Sequence, residues 1–294
     1  MKINPRTMTG TVSVAASSAV SFSVKPKLGT AELLFNCAQS MGLSPVWLTP
    51  KAVFVIVVNG QERYVNLARS PLNSASSAAL AKNKYVTRRI LERHKMPNIP
   101  FTIAHTASEA EAFLKTHGTI VAKPVTGSGT RDIHIINKTT QLSKINVNQY
   151  ILEKYIAGRE LRFLILNSKV VGVHRSEYGT SVAKDRPLQR ISFSKCDWDS
   201  SLVALSKRIA KIFSLKFVAI DYLIDDSQNA YILEINTMPG LKWFHAPSSG
   251  PVVNIAELFL ESIVRSILSE QKVESNLDLL NSTFSYNEFG SATL

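Results

Sequence analysis

Two apolar runs, residues 219–224 and 230–236, flank the polar stretch Asp225-Asp226-Ser227-Gln228-Asn229, and set within them are Asp221, Glu234 and Asn236. A four-residue turn over 226–229 folds the runs into a hairpin that pairs Ile224 with Tyr231, Leu223 with Ile232, Asp221 with Glu234 and Ala219 with Asn236. Period-two alternation then puts Asp221, Glu234 and Asn236 on one face. Cβ atoms of opposed residues lie roughly 4.5–5.5 Å apart, a separation at which two carboxylates repel. A divalent cation is the natural remedy, and an all-oxygen set of Asp, Glu and Asn amide suits Mg²⁺, which leaves further positions to water and phosphate. The plainer alternative is a hairpin whose acids face water, as charged strand residues usually do. That alternative accounts for Asp225 and Asp226 better than for Glu234 and Asn236, which lie in the apolar run 231–238 just before Pro239-Gly240.

Upstream, Val121-Ala122-Lys123-Pro124 leads from a strand pattern into Val125-Thr126-Gly127-Ser128-Gly129-Thr130-Arg131. A glycine-bearing loop lets backbone N–H groups approach phosphate, and a lysine at a strand end supplies counter-charge. The spacing matches neither a P-loop nor a dinucleotide-binding fingerprint, and an ordinary turn explains it equally well. Further on, Tyr150-Ile151-Leu152-Glu153-Lys154-Tyr155-Ile156 is an apolar strand ending in a Glu-Lys pair. Glu160 and Arg162 follow in phase on one side of the next strand, and read alone they are a strand end with a surface ion pair.

Composition narrows the class. No apolar run reaches the roughly 18–20 residues that a membrane span needs. Cys37 and Cys196 are too isolated for a disulfide framework or a zinc site, so a reducing, cytoplasmic setting is expected. The net charge of +12 suits nucleic acid, an anionic membrane surface, or phosphorylated and carboxylated small molecules, and its sign alone does not choose among them. Lys and Arg are scattered and no nucleic-acid motif is present, so neither nucleic acid nor a membrane is an expected partner.

Residues 1–27 are Ser-rich, basic and free of acids, and read as a flexible extension; the alternative, a targeting peptide, lacks an Arg-rich amphipathic face. A small lead-in unit over 28–80 follows, with a helix at 30–41, a strand at 46–48 and a hairpin of 52–58 and 63–68 about Asn59-Gly60. Residues 70–79 read as a loop. One subdomain, 81–150, holds a helix over 82–95, strands at 101–103, 120–123 and 133–136, a helix over 108–117 capped by Ser108, and a polar helix near Gln141. A second, 151–268, holds strands at 161–166 and 170–174, a helix over 200–213, the carboxylate hairpin and a closing helix over 256–268. Residues 269–294 read as a loosely held polar tail. The mixture is an α+β fold.

In order, Asn83-Lys84, Lys123-Pro124 with its glycine loop, Glu153-Lys154-Tyr155-Ile156 with Glu160, Asp221, and Glu234-Ile235-Asn236-Thr237-Met238-Pro239-Gly240 resemble the ATP-grasp superfamily over about residues 80–268. The last element reads nearly as in D-alanine:D-alanine ligases. The lead-in unit and the continuation through Leu241-Lys242-Trp243-Phe244-His245 look more like the ATP-grasp portions of cyanophycin synthetase and of fused bacterial glutathione synthetases. The resemblance implies two α+β subdomains gripping ATP. It implies that Lys84 and Lys123 contact phosphates, that Thr126, Gly127, Ser128 and Gly129 cover them, that Glu153, Lys154, Tyr155 and Ile156 hold adenine, and that Glu160 binds ribose. Asp221, Glu234 and Asn236 would hold two Mg²⁺ ions, with Mn²⁺ as the alternative. The implied reaction is that of a carboxylate-amine ligase: the γ-phosphoryl passes to a carboxylate, and an amine attacks the acyl phosphate to give an amide, ADP and phosphate.

Phosphoryl transfer needs positioning and charge neutralisation more than a covalent nucleophile. Lys123, Arg162 and Arg175 are therefore the expected catalytic cations, and Arg131, Gly240, Lys242 and His245 the substrate-side candidates. Solvated surface charge is the plainer account of Lys242, and a packed ring that of His245. Two features depart from the family pattern: Asp132 stands about where another glycine is often kept, and the lead-in unit is smaller than the domain preceding the grasp in D-alanine ligases. D-alanine is therefore not carried over as substrate. Amino acids or short peptides are the expected partners, with a homodimer left open. A non-catalytic nucleotide-binding module with an acidic partner competes with the ligase, as does a kinase or carboxylase on the same scaffold. A pure binder has little use for Asn236.

Overall fold

The computed structural model describes residues 29–126, 132–177 and 189–287. The chain opens with α1 (Thr30–Ser40), which buries Ala31, Leu34 and Ala38 on one side. Strands β1 (Val46–Thr49), β2 (Val53–Val58) and β3 (Gln61–Asn66) form an antiparallel sheet in that order. Asn59 and Gly60, at φ 50° and 80°, make the left-handed turn that the dipeptide predicts. Helix α2 (Ala75–Lys82) occupies part of the expected loop, and Asn83 caps α3 (Lys84–Arg93) by accepting from the Val86 N–H at 3.0 Å. That cap divides what the sequence presents as one helix over 82–95. Then come β4 (Phe101–Thr102), α4 (Ala107–His117, capped by Thr106 and not by Ser108), β5 (Ile120–Pro124), β6 (His134–Ile136) and β7 (Tyr150–Lys154). Next are β8 (Arg159–Leu166), β9 (Lys169–Glu177), β10 (Gln189–Ser192), α5 (Ser200–Ile212), β11 (Phe217–Ile224), β12 (Ala230–Asn236), the single turn α6 (Lys242–His245) and α7 (Ile255–Asn287). No described helix is long and apolar enough to cross a membrane.

Two compact units emerge, one of 29–67 with 256–287 and one of 68–255. In the first, Phe35 stacks on Trp47 with ring centroids 4.3 Å apart, and Phe54 meets both edge-on. Helix α7 continues well past Ser269, where a loose tail was expected. Its polar residues are contacts: Gln271 and Asn59 exchange hydrogen bonds of 3.2 and 3.3 Å, Glu270 pairs with Arg63, and Gln61 donates to Glu274 at 3.4 Å.

The second unit has two antiparallel sheets, one of order β4-β7-β5-β6 and one of order β10-β9-β8-β11-β12. One face of the five-stranded sheet packs Leu161, Phe163, Ile220, Tyr222 and Ile232 against Leu202, Leu205 and Ile209 of α5. The other carries a polar row of successive cross-strand partners: Ser192 on β10, His174 on β9, Arg162 on β8, Asp221 on β11 and Glu234 on β12. The turn from β7 into β8 passes close to β11, where a Cβ added to Gly158 would lie 2.5 Å from the Ile224 carbonyl oxygen. Gly158→Ala is expected to lower stability by about 1–3 kcal/mol in a urea titration, as overpacking does. A wild-type midpoint would mean that this turn yields freely.

Candidate active site

The hairpin pairs Asp221 with Glu234 and Ala219 with Asn236, as the spacing predicts, but its turn end is slipped by one residue. Ile224 faces Ala230, Leu223 faces Tyr231 and Tyr222 faces Ile232, so Leu233 stands without an opposite residue in a β-bulge. Simple alternation would put Ile232 and Glu234 on the same face. The bulge separates them: Ile232 is fully buried against α5, while Glu234 joins Asp221 on the polar face.

Asp221 is buried and takes two bonds from Arg162, Nε to Oδ1 at 2.6 Å and Nη2 to Oδ2 at 2.7 Å. Burial works against the charge of Arg162, but Asp221, with Glu234 and Glu160 behind it, raises its pKa nonetheless. Glu234 is pushed up by burial and then by Asp221, against the pull of Lys84, Arg162 and Lys123. Lys84, first residue of α3, is pushed down by burial while Glu234 opposes the shift. Cations from α3, β5 and β8 thus share one field with the hairpin acids. Asn236 Oδ1 accepts from the Met238 N–H at 2.9 Å, which bends the chain at Thr237 and Met238 and leaves the amide oxygen a second lone pair.

Among the described residues no group of three or more His, Cys, Asp or Glu forms a metal site. Asp221, Glu234 and Asn236 are two carboxylates and an amide oxygen, too few for a closed cage. They are the partial set that Mg²⁺ accepts when water and phosphate oxygens complete its shell. Glu234 is raised by burial and by Asp221, which is the crowding of carboxylates that a hard divalent cation relieves, and the donors fit that ion.

Lys123 on β5 donates to Glu153 Oε2 at 2.7 Å, and Arg88 on α3 donates through Nε to Oε1 at 2.7 Å. Burial alone would raise Glu153, but Arg88 and Lys123 outweigh it and hold the carboxyl down to about 2. The Glu153 side chain therefore faces inward, toward cations. Lys154 and Tyr155 have exposed side chains and give their N–H groups to Pro100 O and Thr119 O. Thr126 bridges to Asn83 at the start of the glycine loop, and the Lys84 N–H bonds Val125 O at 2.9 Å. Gly127, Ser128, Gly129 and Arg131 lie outside the described residues. Asp132 has φ 59°, the left-handed region that favours glycine, and there its carboxylate meets the Tyr150 hydroxyl and His134 Nε2.

Residues 81–263 match the family described as a RimK-like ATP-grasp domain. The chain belongs to the RimK-like ATP-grasp family. It is 24% identical over 221 residues to the tetrahydromethanopterin:alpha-L-glutamate ligase of Methanocaldococcus jannaschii, covering 70% of this chain and 74% of that protein. It is 28% identical over 198 residues to the D-alanine–D-alanine ligase of Rickettsia canadensis, covering 60% of this chain and 55% of that one. The fold is shared with the bifunctional glutathione synthetase from Pasteurella multocida, at TM-score 0.61 and 13% identity over 82% of this chain and 44% of the other. It is also shared with the ATP-grasp ligase PsnB, solved with a phosphomimetic variant of its minimal precursor, Mg and ADP, at TM-score 0.55 and 14% identity over 66% and 61%. The chain thus spans about half of the Rickettsia ligase and under two thirds of PsnB. ATP-grasp ligases use ATP and magnesium.

Other ATP-grasp candidates are more dispersed. Arg175 lies opposite Leu161 and Ile191, with its guanidinium 5.8 Å from the Phe193 ring centroid, on the α5 side of the sheet and away from Arg162. Glu160 is half-buried on β8, opposite Leu223 and Ser176. Lys242 is exposed with Nζ 4.6 Å from the Trp243 ring centroid, Gly240 is exposed with no atom crowding it, and burial pushes buried His245 down to about 4. Two residues of the row and its support escape the sequence reading. His174, fully buried beside Phe244, is held neutral by burial and by Arg162 and Arg190, and neither ring nitrogen finds a partner among the described residues. Arg88 is equally buried; its position four residues after Lys84, on the same helix face, is the one cue the sequence offers.

Glu153→Gln is expected to cost about 3–5 kcal/mol at pH 7, because it leaves Arg88 buried without its counter-charge. The folded pKa of about 2 lies below the unfolded value near 4.3, so the contribution is complete above about pH 4.3 and fades as pH falls toward 2. Urea titrations across that window should show a flatter acid limb in the variant; an unchanged limb would mean that the carboxylate adds nothing to stability.

Proposed function

We propose that this chain is an ATP- and magnesium-dependent carboxylate-amine ligase that joins an amino acid or short peptide to an amine through an acyl phosphate. The observation that carries the reading is the opposed pair Asp221 and Glu234, with Asn236 beside it, in a common field with Lys84 and Lys123. Magnesium held by these three residues, taken here as two ions, supplies the charge that a triphosphate needs for in-line transfer.

In this reading Lys123 and Lys84 bind phosphate oxygens, and residues 126–131 cover them. The backbone of residues 153–156 holds adenine, since the Glu153 carboxylate is already taken by two cations, and Glu160 binds ribose. A substrate carboxylate oxygen attacks the γ-phosphorus as ADP leaves. Arg162, paired with Asp221, would neutralise the acyl phosphate with its guanidinium, while Asp221, Glu234 and Asn236 would hold the magnesium. The amine nitrogen then attacks the acyl carbon, the bond from that carbon to the phosphate oxygen breaks, phosphate departs with the bonding pair, and the proton shed by the amine passes to the departing phosphate. Arg131, Gly240 and Lys242 remain substrate-side assignments. His245, with a pKa near 4, is too weak a base for an alkylammonium and is read as a packing residue. Arg175 has no part, being on the other sheet face. A cytoplasmic location accompanies the reading, and a homodimer is compatible with it.

Amino acids and dipeptides screened for ADP release with magnesium should yield at least one pair whose product has the mass of an amide. EDTA should abolish turnover, and Glu234→Ala should reduce it by about 10²–10³-fold or more. Wild-type turnover in that variant would end the assignment, and ADP release without an amide would point to a kinase or carboxylase.

A further inference from the structure

Arg88 is 2% exposed, and a guanidinium so placed is tolerable only if its donors are matched. Its donors run to three elements. Nε reaches Glu153 Oε1 on β7 at 2.7 Å, and Nη1 reaches Asn98 Oδ1 at 3.1 Å. Nη1 also reaches the carbonyl oxygen of Ile232 at 2.5 Å, and Nη2 that of Leu233 at 3.0 Å. Asn98 Nδ2 returns a bond to the Arg88 carbonyl at 3.0 Å, which fixes the fork from behind.

Ile232 and Leu233 are the residues at which β12 slips against β11, immediately before Glu234. A bulge disrupts the ladder locally, and buried carbonyls there must find other donors. Here one guanidinium meets both. The same bulge sends Ile232 into the core and Glu234 to the polar face, so whatever holds it decides where that carboxylate points.

We propose that Arg88 is a positioning residue for the metal-binding edge: it clamps the bulge carbonyls to keep Glu234 aimed beside Asp221, and through Glu153 it fixes Lys123 at the same time. The inference rests on the ligase reading in taking Glu234 as a magnesium ligand. Lysine cannot replace the fork, because one ammonium lacks the planar, divergent donors that reach a carboxylate and two carbonyls together.

The test is calorimetric titration of the full chain with ADP at stepped MgCl₂, alongside thermal melts without nucleotide. Arg88→Lys keeps a cation beside Glu153 and withdraws the clamp, so the magnesium concentration that half-saturates ADP binding should rise about tenfold or more, as loss of an outer-shell support typically does. Glu153→Gln frees Lys123 while the two carbonyl contacts of Arg88 remain available, and should weaken ADP binding more than it raises the magnesium requirement. Asn98→Ala removes only the buttress, remains measurable if Arg88→Lys does not fold, and should shift the magnesium requirement the same way by less. Lower melting temperatures with a wild-type magnesium requirement in Arg88→Lys, or in Asn98→Ala where only that variant folds, would reduce Arg88 to a structural ion pair and overturn the proposal. Wild-type protein whose ADP binding ignores magnesium would instead overturn the ligand assignment of Glu234 and the ligase reading with it.

Discussion

Carboxylates set opposite one another on paired strands repel, and much of the second unit is arranged to answer the Asp221–Glu234 contact. The neighbouring strand contributes Arg162, which grips Asp221 through two bonds. The other sheet contributes Lys123, and the first residue of α3 contributes Lys84, both of which draw Glu234 toward ionisation. None of these cations is adjacent to the acids in sequence. A single pair of acids therefore makes demands on two sheets and a helix.

A second set of charges lies deeper and answers to different physics. Glu153 is taken out of water entirely and is stable there because Arg88 and Lys123 approach it from two sides. Lys123 belongs to both sets: one carboxylate holds it by hydrogen bond while another attracts it through the field. Lys123 is in this way pre-oriented by the interior, and a fixed cation loses little freedom when it meets an anion. The polar row continues beyond Arg162 to His174 and Ser192, so the five-stranded sheet carries polar side chains across its whole width on one face while the other packs the apolar core against α5.

Local chemistry was legible in the sequence wherever neighbours in the chain decide the outcome. Asn59-Gly60 named its own turn, and the opposition of Asp221 to Glu234 followed from alternation about a short polar stretch. The bulge at Leu233 was not legible, because it depends on a guanidinium 145 positions away. Arg88 itself looked like one more basic helix residue, since its burial arises only when β7 and β12 close over it. Helix α7 was cut short in the reading because its polar residues resemble a solvated tail until Asn59, Gln61 and Arg63 are brought alongside. The strand β10 and the turn α6 carry too few residues for any periodicity to show. Arg175 was misjudged by a parity: it is one residue from His174, and in a strand one residue is the difference between faces.

The unit formed by 29–67 and 256–287 is split in the chain by the whole of the other unit. Synthesis proceeds from the amino end, so its first half leaves the ribosome while the partners of Asn59, Gln61 and Arg63 on the last helix are still unmade. The intervening stretch can collapse in the meantime, which shortens the effective tether between the halves and lowers the entropy lost on joining them. Until α7 is made and docks, the amino-terminal half of this unit is without the contacts of Asn59, Gln61 and Arg63.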